Sequence, residues 1–142
     1  MILQRASLSE TVSTDQSRYA IRYSEPLNLI EISWQGLVTS DELQATLLHL
    51  LEVVKEKEPR YLLIDSRPLK TFGIEGQNWI RNTFLPALSE STITQFARIT
   101  EPDVFTQAIV ESVLGYVQCD QRFGCCMRSF TDRKAALDWL YS

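Results

Sequence analysis

Apolar and polar residues repeat along this chain in two different periods, and the period switches several times. Tyr19, Ile21 and Tyr23 alternate with Ala20, Arg22 and Ser24, which predicts a half-buried strand. Glu25-Pro26-Leu27-Asn28 supplies turn chemistry, because Pro fixes φ and Asn tolerates tight bends. Leu29–Trp34 predicts a second strand with Ile30, Ile32 and Trp34 on one face, and Gly36 ends it. The two strands read as a leading antiparallel hairpin. Residues 1–17 are rich in Ser, Thr and Gln with no clear period, and predict a loose arm or a poorly defined first strand.

The period then becomes helical. Thr39 and Glu42 have capping-box spacing, so each satisfies a backbone donor that the first helical turn leaves unpaired. Leu43, Leu47, Leu50, Leu51 and Val54 fall on one helical face. Lys55-Glu56-Lys57-Glu58 is the wet end, and Pro59 stops the helix. Tyr61–Ile64 predicts a buried strand that stops abruptly at Asp65-Ser66-Arg67. Beyond the 65–76 loop, Trp79, Ile80, Phe84, Leu85 and Leu88 predict a second helix, which Pro86 should kink or end early. Gln95–Thr100 reads as a strand. Pro102 opens a third helix carrying Phe105, Ala108, Ile109, Val113 and Tyr116. Cys125–Phe130 predicts the last strand, and Asp132 caps a final helix with Ala136, Trp139 and Leu140.

The order is ββαβαβαβα. Strands alternating with helices predict an α/β fold with a mixed, mostly parallel sheet and right-handed crossovers. At 142 residues the chain fits one domain, residues 1–142, with no repeat or linker dividing it. A net charge of -4 and a pI near 5.0 argue against a nucleic-acid partner, which needs a basic patch. The same balance disfavours simple electrostatic attachment to anionic lipid.

Little catalytic chemistry is on offer. His49 is the single histidine, expected at a solvated or edge position of the first helix with Glu52 and Glu56 at helical reach. Triads built on Ser or Cys would depend wholly on it. Cys119, Cys125 and Cys126 lack zinc-ligand spacing and a nearby histidine, so no metal site is expected. An odd, sparse cysteine count predicts no disulfide framework and a reducing cytoplasm. Arg122 and Arg128 could activate a thiol, but buried strand cysteines are usually inert packing residues. The N-terminus lacks the apolar core of a signal peptide, and no apolar run is long enough to span a bilayer. Gly73-Ile74-Glu75-Gly76 has neither a Walker lysine nor a dinucleotide fingerprint, and no cofactor is expected. Ser66 and Thr71 read as exposed loop hydroxyls within reach of a kinase. Asp65 has two readings: a carboxylate accepting loop N–H bonds, or part of a polar rim at a ligand edge.

The strand end is nonetheless where ligands and partners gather in open α/β sheets. Asp65, Ser66 and Arg67 are therefore the expected rim of a binding site. Trp79, Phe84 and Phe105, on the two helices predicted to flank it, would line an apolar pocket.

Trp34-Gln35-Gly36, Leu63-Ile64-Asp65-Ser66-Arg67, Trp79 with Phe84-Leu85-Pro86, Phe96-Ala97-Arg98-Ile99, and Phe130-Thr131-Asp132 leading to Ala136–Leu140 together resemble the SpoIIAA-like proteins. These belong with the STAS domains and share features with CRAL-TRIO lipid carriers. The resemblance covers about residues 19–141. It implies one of two non-enzymatic roles in a bacterial cytoplasm. The carrier-like relatives imply a small apolar ligand or a membrane lipid held under mobile helices, with transient contact at a membrane surface and Pro86 as the break that lets them open. The anti-sigma factor antagonists imply a regulatory protein partner, switched by phosphorylation at the start of the helix after this strand. Here that start, Gly73–Gly76, has no hydroxyl. An exposed edge of the leading hairpin would also suit a homodimer.

Overall fold

A computed structural model describes residues 10–12, 19–36, 38–69, 73–101 and 126–141. Strands β1 (Glu10–Val12), β2 (Tyr19–Ser24), β3 (Leu29–Trp34), β4 (Tyr61–Asp65), β5 (Gln95–Ile99) and β6 (Cys126–Phe130) form one sheet. Their order across it follows the chain, β1-β2-β3-β4-β5-β6. β1, β2 and β3 are antiparallel, and β3 through β6 are parallel. The sheet is thus mixed and mostly parallel, as the alternation predicts. β1 adds a third antiparallel strand, pairing Glu10 with Tyr23 and Val12 with Ile21. It covers the outer edge of β2, the hairpin edge expected to be open for a second copy.

The hairpin turns at Glu25–Asn28. Asn28 takes the left-handed conformation at φ 55°, and its carbonyl accepts the N–H groups of both Arg60 and Tyr61. The turn thereby fixes where β4 begins beside β3. Helix α1 (Ser40–Lys57) starts at the capping box: Glu42 N–H donates to Thr39 Oγ1 at 3.1 Å, and Thr39 N–H to Glu42 Oε1 at 2.9 Å. Its buried stripe of Leu43, Leu47, Leu50 and Val54 lies on the sheet face carrying Ile30, Ile32, Trp34, Leu62, Ile64 and Phe96. Trp34 Nε1–H donates to Thr46 Oγ1 at 3.0 Å, a buried bond from β3 to α1.

The second helix is one helical run with a wide turn inside it: α2 (Gly73–Trp79), a π-helical turn (Ile80–Phe84) and α3 (Leu85–Ser89). Pro86 explains the turn. It has no N–H for the regular ladder, and its ring crowds the carbonyl four residues back. The chain widens just before it, and Leu85 N–H reaches Ile80 O instead. Ile80, Phe84, Leu85 and Leu88 remain buried, so the run stays docked across the break.

Helix α4 (Arg133–Leu140) is capped by Asp132, whose carboxylate accepts Ala135 N–H at 3.0 Å. It covers the opposite sheet face, where Leu29, Leu63, Ala97 and Ile99 meet Ala136, Leu137 and Leu140. Among the described residues, two helical elements lie on one face and α4 on the other, a three-layer arrangement. The third helix expected from Pro102, with Phe105 on it, lies outside the described residues. Cys126 is disulfide-bonded, where the sparse cysteine count predicts no disulfide framework. Spacing along the chain says nothing about distance in space. Among the described residues, no helix is long and apolar enough to cross a membrane.

Candidate functional site

At the end of β4, Asp65 and Arg67 close on each other as an ion pair. Arg67 Nε donates to Asp65 Oδ1 at 2.9 Å, and Arg67 Nη2 to Asp65 Oδ2 at 2.6 Å. Arg67 N–H adds a third bond to the same carboxylate. Burial raises the Asp65 pKa, but these bonds and the charges of Arg67 and Arg133 outweigh it and hold the carboxyl below its ordinary range. Arg67 is held protonated chiefly by its bond to Asp65, aided by the fields of Asp65, Glu101 and Asp132 and opposed by partial burial. Asp65 accepts the loop N–H that its structural reading expects.

One ladder step inward, Glu31 of β3 faces α4 and pairs with Arg133 at 2.8 Å. Glu31 is buried, and desolvation lifts its pKa, offset in part by Arg133 and Arg22. This pair locks the start of α4 to the sheet beside Asp65. The two acids have opposite tendencies, and each already has an arginine.

Ser66 corrects an expectation. It is buried, and its hydroxyl donates to Ile99 O at 2.8 Å while its N–H donates to the same carbonyl at 2.9 Å. It splices β4 to β5 and is not an exposed hydroxyl; Thr71 lies outside the described residues. Trp79 and Phe84 do meet, stacked at 6.3 Å with a 20° interplanar angle. Phe84 is only 2% exposed and belongs to the core, with Trp79 packed half-buried against it. His49 takes the edge position expected of it, its Nδ1 2.6 Å from Tyr19 Oη. Among the described residues, no group of three or more His, Cys, Asp or Glu could hold a metal ion.

A cavity of about 520 Å³ lies elsewhere, where the C-terminal end of α1 meets the C-terminal end of α3. Its apolar wall is Leu51, Val54 and Ala87, and its rim carries Lys55, Glu58 and Glu90. Ser91 and Thr92 complete it, with both hydroxyls turned to backbone: Ser91 Oγ donates to Leu88 O, and Thr92 Oγ1 to Pro59 O. It opens beside the amino ends of β4 and β5, at the opposite end of the sheet from Asp65. The hollow is between helices but at the other end of the sheet from the expected site, and among the described residues neither Trp79 nor Phe84 lines it. Its one advance signal is Glu58. The residue stands just before Pro59, where a helix commonly ends on a left-handed glycine, and it adopts that conformation at φ 52°.

No family model and no curated protein matches the chain. Among solved structures, it is similar to an uncharacterised protein of the DUF3478 family from Shewanella loihica PV-4, described as having a SpoIIAA-like fold. The two superpose with a TM-score of 0.57 at 18% identity, over 91% of this chain and 98% of the other. The fold is therefore SpoIIAA-like. At that identity the likeness extends to the fold alone.

Proposed function

We propose that this protein is a non-enzymatic binding module that holds a small ligand with an apolar part in the hollow between α1 and α3. The hollow carries the reading. Its volume of about 520 Å³ falls within the roughly 300–1,000 Å³ of small-molecule sites. Its walls come from two helices anchored on the same core, so it is preformed. The strand-end carboxylates speak against an enzyme: Asp65 is neutralised by Arg67 and Glu31 by Arg133, which leaves no poised acid–base pair there. A fragment screen by amide NMR tests the reading. Hits should cluster at Leu51, Val54 and Ala87; hits confined to other surfaces, or none, would defeat it.

A second reading is a regulatory protein contact of the STAS type at the start of α2. Ile74, in the first turn after the strand-end loop, is 70% exposed, an unusual position for a large apolar side chain. Arg67, at the end of β4, is accessible, its side chain 43% exposed. The helix opens on Gly73-Ile74-Glu75-Gly76, so a switch by phosphorylation in this turn is not part of the reading. A pull-down whose anti-sigma-type partner is lost on both Ile74→Asp and Arg67→Glu, with the fold intact, would favour it. Unchanged recovery of that partner would remove it.

A further inference from the structure

We infer that the ligand of the α1–α3 hollow is an organic cation: an ammonium or guanidinium-type head on a short apolar body. This rests on the hollow being the binding site and adds the chemistry of its occupant. Three independent features of the cavity agree on the sign of the charge. First, two carboxylates, Glu58 and Glu90, stand at its rim against a single Lys55, and none of the three has an ion-pair partner among the described residues. Second, both helical elements that form it arrive by their C-terminal ends. Their last carbonyls carry the partial negative charge of the helix dipole, which favours a cation. Third, the rim hydroxyls have spent their hydrogens. Ser91 and Thr92 donate to Leu88 O and Pro59 O, and Ser91 Oγ also accepts Ile93 N–H at 3.1 Å, so neither hydroxyl has a hydrogen left for an anionic ligand. Among the described lining residues, Lys55 is the one side-chain cation against the two carboxylates.

The apolar part has a matching surface. Leu51, Val54 and Ala87 form the wall below the rim. Leu48, three residues before Leu51 and so on the same face of α1, is 48% exposed and extends the strip along the helix. A ligand with its head between Glu58 and Glu90 and a chain of a few carbons along Leu51 towards Leu48 would satisfy both surfaces. A carboxylate or phosphate head would meet two like charges and two negative helix ends.

The test is an amide NMR titration of the full chain with three probes of equal length: hexylammonium, hexanoate and 1-hexanol. Hexylammonium is expected to shift Leu51, Val54 and Ala87 and to bind more tightly than the other two. Each exposed carboxylate is worth about 0.2–1 kcal/mol, so the Glu58→Gln/Glu90→Gln variant should weaken hexylammonium roughly fivefold. It should leave 1-hexanol unchanged. Lys55→Gln should tighten hexylammonium, a gain that misfolding cannot mimic. Equal or tighter binding of hexanoate or 1-hexanol at these residues overturns the cationic head and leaves the small-ligand reading standing. No shift at the hollow with any probe overturns both.

Discussion

Removing the Thr46 hydroxyl tests how α1, which forms one wall of the hollow, is held to the sheet. Thr46 accepts the indole N–H of Trp34 at 3.0 Å and donates to Leu43 O at 2.9 Å. Both residues are buried, Trp34 at 4% and Thr46 at 7% exposure. Thr46→Val keeps the side-chain shape, so no cavity opens and the helix preference hardly changes. Leu43 O loses a second bond. The Trp34 N–H, by contrast, loses its acceptor in a site closed to water. A buried donor left unpaired costs about 1–3 kcal/mol. In a chain of this size each kcal/mol is roughly 3–4 °C, so the melting temperature should fall by about 3–10 °C. Urea unfolding followed by circular dichroism gives the free energy. Trp34→Phe has no N–H to strand, so adding Thr46→Val to it should cost less than about 0.5 kcal/mol beyond the single change. If Thr46→Val costs the same in both backgrounds, or nothing in either, the bond does not anchor α1.

Glu58→Gly should raise stability by about 0.5–1 kcal/mol, because glycine adopts the left-handed conformation at φ 52° without the steric cost a Cβ imposes; a lower melting temperature would show that the glutamate side chain holds the helix end. Asp65→Asn should flatten the acid limb of the stability curve. The folded Asp65 pKa lies below its unfolded value, so its contribution is complete above the ordinary carboxylate range and is lost as pH falls through the lowered folded value. Arg67 is 43% exposed, which screens the pair and limits the loss near neutral pH to about 0.5–1 kcal/mol. An unaltered acid limb in Asp65→Asn would mean that the ion pair contributes nothing.

Local chemistry was the legible part of this fold. The Thr39–Glu42 capping box, the Asp132 cap, the Pro59 stop and the strand periods each depend on neighbours within four or five residues, and each sits where the pattern places it. Pro86 announced a break. That the run continues through a π-helical turn depends on Ile80, Phe84 and Leu88 finding the core on both sides of it, which is a tertiary matter. β1 was legible only as the poorly defined first strand offered for residues 1–17, because three residues paired by backbone bonds leave almost no side-chain period. Ser66 misled for a similar reason. A serine after a strand reads as loop, and its burial comes from Ile99, 33 positions away. Asp65 and Arg67 were legible as a polar rim; that they would bind each other was not, since spacing of two says little outside a regular element. The hollow was least accessible of all. It joins Leu51–Glu58 to Ala87–Thr92, two stretches with no shared motif.

The central claim is that the α1–α3 hollow is this protein's binding site. Native mass spectrometry of freshly purified wild type and the Ala87→Trp variant, side by side, tests it most directly, because the indole would occupy the hollow without entering the core. The account predicts a stoichiometric small-molecule adduct on the wild type and its loss from Ala87→Trp at unchanged fold. A wild type without adduct, or an adduct kept equally by both proteins, would contradict it.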